Sequence, residues 1–112
     1  MNLLPNYERA VIPIEKLTER SLNPKKDEDK AEAFRLALGF TLEHAELLRR
    51  LIRENLPLCE AVSRGDLGYG MRYAVHMELP GLNGKTARVL TAWIDDKKEN
   101  EMRLTSVYVD RR

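Results

Sequence analysis

The residues best placed to do chemistry together are Arg72, His76 and Glu78, which recur at even steps along the alternating segment 69–79. Side chains on an extended strand point alternately to opposite faces. Arg72, His76 and Glu78 therefore share one face with Gly70 and Ala74, while Tyr69, Met71, Tyr73, Val75, Met77 and Leu79 share the other. The strand rise sets His76 about 7 Å from Glu78 and about 13 Å from Arg72, gaps that long side chains narrow. Cleaving RNA without a metal needs a base for the 2′-hydroxyl proton, a cation for the charge that builds on phosphorus, and an acid for the leaving oxygen. Histidine, arginine and glutamate suit those roles. The same three residues equally make an ordinary wet face of a sheet, and that reading stands beside the first.

Other reactive side chains have plainer readings. Ser106 and Tyr108 alternate onto one face of the last apolar segment, and Thr91 and Trp93 onto one face of the segment before it. Hydroxyls so placed can bind phosphate or simply fill a sheet surface. His44 stands three residues after Thr41 and reads as a surface or capping histidine. Cys59 has no histidine beside it and reads as a small apolar residue. No Cys/His grouping has zinc spacing, no glycine loop suits a phosphate, and no nucleophile elbow occurs, so neither metal nor cofactor is expected.

The elements that must position these residues change character near residue 68. Ala10-Val11-Ile12-Pro13-Ile14 suits a short edge strand, because Pro13 cannot donate to a ladder. Helical spacing follows at Ile14, Leu17 and Leu22, and Asn23 to Asp29 is a charged loop. Asp27 or Asp29 can cap a helix carrying Ala31, Phe34, Leu36, Ala37 and Leu38, which Gly39 stops. Thr41 caps a second helix with Leu42, Ala45, Leu48, Leu51 or Ile52, and Leu56 at three- and four-residue steps. Its Arg49, Arg50 and Arg53 form a cationic cluster that reads as a solvated face. Residues 57–68 read as a loop. Beyond them the period is two: a strand over 69–79, an Asn83-Gly84 hairpin signal, a strand over 85–94 with Trp93, a polar turn over 95–101, and a strand over 102–109.

The fold expected is α+β: two or three N-terminal helices between residues 14 and 56 on a three-strand antiparallel meander, with a short N-terminal edge strand in addition. The length, 112 residues, suits one domain spanning 1–112. Hydrophobic residues at 43% and charged residues at 33% argue for a folded chain and against disorder. Nineteen basic against 18 acidic residues leave a net charge of +1, with ten of each sign in residues 1–56, so any nucleic-acid contact has to come from a local patch. A single cysteine fits the reducing cytosol. No apolar run reaches signal-peptide or membrane-span length, so a cytoplasmic protein without membrane contact is expected.

Across its whole length the chain resembles a family of small uncharacterised bacterial domains. The residues that carry the resemblance are Leu4-Pro5-Asn6, Glu8 to Ile12, Leu22-Asn23-Pro24, Lys30-Ala31 with Phe34, Leu38-Gly39, Tyr69-Gly70 with Tyr73, Leu82 to Lys85, Ala92-Trp93-Ile94, and Arg103-Leu104 with Tyr108-Val109. The resemblance implies a toxin-like module encoded beside a small antitoxin-like partner, with a fold similar to the barnase, colicin and RelE-type ribonucleases. One departure stands out. The family's loop after Asn-Pro usually carries a histidine and a glycine before Lys-Ala, whereas Lys25 to Lys30 here has neither. His76 then remains as the histidine for catalysis, and Lys30, Arg72, Arg103 and Ser106 complete the expected site of a metal-independent endoribonuclease acting on RNA. The alternative is a non-catalytic module of the same fold that docks a partner protein, through its sheet face or the arginine-rich helix, or forms a homodimer through its sheet edge.

Overall fold

In a computed structural model the chain is described over residues 1–110; residues 111 and 112, the last of the expected domain, lie outside the described residues. Two helices, α1 (Glu28–Leu38) and α2 (Ala45–Asn55), precede four strands, β1 (Ala61–Asp66), β2 (Met71–Pro80), β3 (Thr86–Asp96) and β4 (Glu101–Val109). The strands pair antiparallel in the order β1-β2-β3-β4, a simple meander, with the helices on one face. The architecture is α+β, as the change of apolar period requires.

The helix boundaries follow from local chemistry. The Asp27 carboxylate accepts from the Lys30 amide at 3.1 Å and so caps α1. At the other end Gly39 takes a left-handed conformation, φ 73°, where a side chain would be strained. The carbonyls left over at that end are not wasted on solvent. The Leu82 amide donates to the Leu38 carbonyl at 2.8 Å, and the Asn83 amide group reaches the Ala37 carbonyl at 3.3 Å. The β2–β3 turn is thereby fastened to the end of α1, which ties Leu38-Gly39 to Leu82-Asn83-Gly84 in space. Ahead of α2, Thr41 and His44 close a capping box in which His44 Nδ1 accepts from the Thr41 amide at 2.9 Å. His44 is a capping histidine.

Leu48, Ile52 and Leu56 from the second helix and its continuation meet Phe34, Leu38 and Phe40 over the sheet face formed by Val75, Met77, Leu79, Val89, Trp93, Leu104 and Val107. Trp93 is 1% exposed. Its indole Nε1–H donates to Thr91 Oγ1 at 2.8 Å, and the Thr91 hydroxyl in turn donates to the Val75 carbonyl at 2.8 Å. The indole thus brings its polar atom into the core without leaving it unpaired. Thr91 is part of the core rather than a substrate ligand.

Three expectations change. The segment 57–68 contains a strand, β1, so the meander has four strands; its residues Val62 to Asp66 are exposed, which is why no alternation of apolar residues announces it. The expected edge strand over 10–14 reduces to one parallel bridge between Val11 and Arg103, with Ala10 and Ile12 buried on either side of it. Pro13 ends any further pairing. Finally, β2 begins at Met71, and Tyr69 is exposed in the preceding turn instead of on the core face. Gly68 and Gly70 have φ of 111° and 136°, and the Asp66 carboxylate accepts from both of their amides, so the chain turns there before the strand can start. Around Leu17–Ser21 the chain makes one wide helical turn that buries Leu17, and the Ser21 hydroxyl donates to the Val107 carbonyl at 2.6 Å.

Candidate functional site

The sheet face turned away from the helices is a grid whose rows are given by the register. Arg72, Ile94 and Arg103 form one row across β2, β3 and β4; Ala74, Ala92 and Ser106 the next; His76, Leu90 and Tyr108 the third. Glu78 and Arg88 face each other in the fourth, and Asp110 joins them through its amide, which donates to the Arg88 carbonyl at 2.8 Å. Short alanines in the middle row, walled by longer side chains, leave a concavity of about 480 Å³ bordered by Arg64, Arg72, His76, Ser106, Tyr108 and Asp110.

Two bulges put those side chains there. The β3–β4 register shifts between Ala92 and Trp93, so that Leu104 faces Trp93 while Ser106 faces Ala92, with Thr105 as the extra residue. Before the bulge the even residues Met102 and Leu104 enter the core; after it the odd residue Val107 does. Ser106, Tyr108 and Asp110 are turned onto the same face as His76 by this one inserted residue. A second shift, between Ser63 and Gly65, leaves Arg64 unpaired in the β1–β2 ladder. The Arg72 guanidinium donates to the Arg64 carbonyl at 2.9 Å and the Gly65 carbonyl at 3.4 Å, so this second bulge holds Arg72 in place while several of its five N–H donors remain for a ligand.

His76 Nε2 stands 3.3 Å from Asp110 Oδ2, and Arg88 Nε lies 3.7 Å from the same oxygen. The Asp110 side chain is 10% exposed and that of His76 28%. A carboxylate beside Nε2 favours the tautomer that carries its proton there and fixes the orientation of the ring.

Of the five expected site residues, three border this concavity: Arg72, His76 and Ser106. Lys30 comes from the first turn of α1 and reaches round the β4 edge, its Nζ 5.6 Å from the centre of the Tyr108 ring and 3.8 Å from the Asp27 carboxylate. Arg103 shares the face but is drawn to the far hairpin, 2.8 Å from Asp96 and 3.5 Å from Glu101. There the Asp96 carboxyl is held below the ordinary aspartate range, first by the Glu99 amide, with the Lys98 amide and Arg103 adding to it. Arg103 thus braces the turn and does not border the concavity. Glu78 lies one row beyond His76, outside the concavity.

Asp110 and Arg64 were not singled out in the sequence. Arg64 carries no signal, since its position depends on an irregular edge strand. For Asp110 a signal existed: the apolar residues of the last segment switch from even (Met102, Leu104) to odd (Val107, Val109), which is the mark of a bulge and places 106, 108 and 110 together.

Elsewhere the candidates are weaker. A larger concavity, about 780 Å³, lies between α1 and residues 40–43 over Leu22, Ala31 and Phe40, but its rim is Glu28, Glu32, Arg35 and Glu43, with Glu32 and Arg35 paired at 2.6 Å. It holds no histidine, and its one hydroxyl, that of Thr41, is engaged in the capping box with His44. Burial raises the Cys59 thiol above its ordinary value, which keeps it protonated and unreactive. Among the described residues no group of three or more His, Cys, Asp or Glu is arranged to hold a metal ion, and no helix is long and apolar enough to cross a membrane. In the arginine cluster of α2, Arg49 pairs with Glu46 at 2.8 Å and Arg53 donates to the Ala10 carbonyl at 2.8 Å.

The molecule is therefore an α+β domain with a polar concavity on the open face of its sheet. It belongs to the family described as a domain of unknown function, DUF6883, whose model matches residues 3–111. No curated protein and no solved structure matches it.

Proposed function

We propose that the domain is a toxin-like, metal-independent endoribonuclease with a fold akin to the barnase, colicin and RelE-type enzymes, partnered by a small antitoxin-like protein. The observation that carries this reading is the His76–Asp110 pair at 3.3 Å inside a concavity that also holds Arg72 and Ser106. His76 takes the 2′-hydroxyl proton of RNA as that oxygen attacks the adjacent phosphorus. Arg72 and the Ser106 hydroxyl donate to the non-bridging oxygens as charge builds there, and Asp110 stabilises the imidazolium. The 5′ oxygen departs and takes a proton from water, leaving a 2′,3′-cyclic phosphate and a 5′-hydroxyl. Lys30 lies beside this centre, and Arg103 supports the hairpin that carries β4.

Purified protein incubated with total RNA in EDTA should cleave it, and His76→Ala should slow cleavage by about 10²–10⁴-fold. Equal cleavage by both proteins would remove His76 from the mechanism. Expression of the domain alone should slow bacterial growth, and co-expression of the adjacent gene should relieve it.

A second reading is favoured by one feature, the exposed apolar side chains of Val62, Leu67 and Tyr69 on and beside β1, which ends the sheet. On that reading the domain is a non-catalytic module that docks a protein or a second copy of itself along this edge. Harmless overexpression, with intact RNA in the EDTA assay, selects it.

A further inference from the structure

Tyr108 borders both the sheet-face concavity and a second groove at the β4 edge. On the sheet face it stands in the same row as His76, with Leu90 between them. On the other side it borders a groove of about 520 Å³ between α1 and β4, together with Asp29, Lys30, Glu32, Ala33, Leu36 and Val109, so that Lys30 is the cation in a groove that also carries two carboxylates. Lys30 borders this groove and not the sheet-face concavity, so its ammonium group stands on the groove side of the ring. The other tyrosine at the concavity, Tyr73, packs against the core. Tyr108, next to last in the edge strand β4, is 36% exposed.

An aromatic ring presented at the border of a polar cleft, with a cation behind it, is the equipment for holding a nucleobase. Base–aromatic stacking needs only the ring and accepts any base, and it requires a base that is not already stacked in a duplex. Two strand spacings separate the backbones of His76 and Tyr108, about 10 Å. That gap is bridged by one sugar and its base when the phosphate sits at His76. Building on the ribonuclease reading, we infer that Tyr108 is a stacking subsite for the base next to the scissile phosphate of a single-stranded RNA, and that Lys30 meets the following phosphate. The strand then crosses the β4 edge from the sheet face into the α1 groove. The bulge at Thr105 acquires a second role, since it turns the ring toward His76.

The test uses a 2′-O-methyl oligonucleotide, which lacks the attacking hydroxyl and cannot be cleaved, so binding is read independently of catalysis. Fluorescence anisotropy of a labelled single strand should give about 5- to 100-fold weaker binding for Tyr108→Leu. Tyr108→Phe keeps the ring and should bind close to wild type. Lys30→Gln should lower the slope of log K against log salt by about 0.7, the share of one single-strand phosphate contact. The same oligonucleotide annealed into a duplex should bind more weakly than the single strand. Tyr108→Leu binding as tightly as wild type, wild type failing to bind, or a duplex binding equally well would each overturn the subsite. Ring-dependent binding by a protein that leaves total RNA intact would retain the subsite and refute the ribonuclease. RNA cleavage with an unchanged KM in Tyr108→Leu would do the reverse.

Discussion

Replacing Thr91 by valine tests whether the register beneath the concavity is held by a buried hydrogen-bond relay. Thr91 is fully buried, accepts from Trp93 Nε1 and donates to the Val75 carbonyl, both at 2.8 Å. Valine keeps the shape and removes the hydroxyl. The indole N–H is then left buried without its acceptor, which costs about 1–3 kcal/mol, and the hydroxyl's own bond to Val75 is worth about 0.5–1.5 kcal/mol. The added methyl returns up to about 0.8 kcal/mol of apolar burial. The net loss is about 1–4 kcal/mol, centred near 2, against the 5–15 kcal/mol typical of a domain. With a urea m-value of about 1–3 kcal/mol/M, the unfolding midpoint should fall by about 1 M. Most of the loss is the orphaned indole, so it should depend on Trp93. In a Trp93→Phe background, Thr91→Val should cost about 1–2 kcal/mol less than in the wild type. Urea titrations of the four proteins, followed by circular dichroism, close this cycle. Additive losses, or an unchanged midpoint for Thr91→Val alone, would refute the relay.

Gly70→Ala should destabilise the fold by about 2–5 kcal/mol, because its φ of 136° strains a side chain and the added Cβ would run into the Asp95 backbone carbonyl; a wild-type urea midpoint would contradict that packing. Asp96 has a folded pKa below the ordinary aspartate value, so its contribution is fully present above about pH 4 and is lost as pH falls through the lower folded value. Asp96→Asn should therefore flatten the acid limb of a stability-against-pH curve measured by urea titration, and an identical acid limb would show that the turn amides and Arg103 do not favour the carboxylate.

The helices were legible because capping and periodicity are local. Asp27, Gly39 and Thr41 with His44 each act within four residues, and the burial of Leu48 and Ile52 needs only a helix of period 3.6 and something apolar to face. The strand carrying Arg72, His76 and Glu78 was legible for the same reason, its alternation surviving over ten residues. β1 was not, since a strand that ends a sheet with five exposed residues has no apolar face to betray it. The fastening of Asn83 to the end of α1 was equally out of reach, although both halves of the contact lie among the residues that carry the family resemblance.

By itself the sequence determined the class of fold, the segment where helix gives way to sheet, and the face of β2 that carries Arg72 and His76, because each depends on spacing within one element. Tertiary structure alone decided which of the candidate residues meet. His76 and Asp110 lie at opposite ends of a three-strand span, and their 3.3 Å approach exists only because one extra residue at Thr105 reverses the facing of everything after it. The same register leaves Arg103 with Asp96 and brings Lys30 to Tyr108 around an edge. Side-chain facing along a strand is a parity, which local sequence can state, whereas pairing across strands is a register, which only the assembled sheet and its packed core determine.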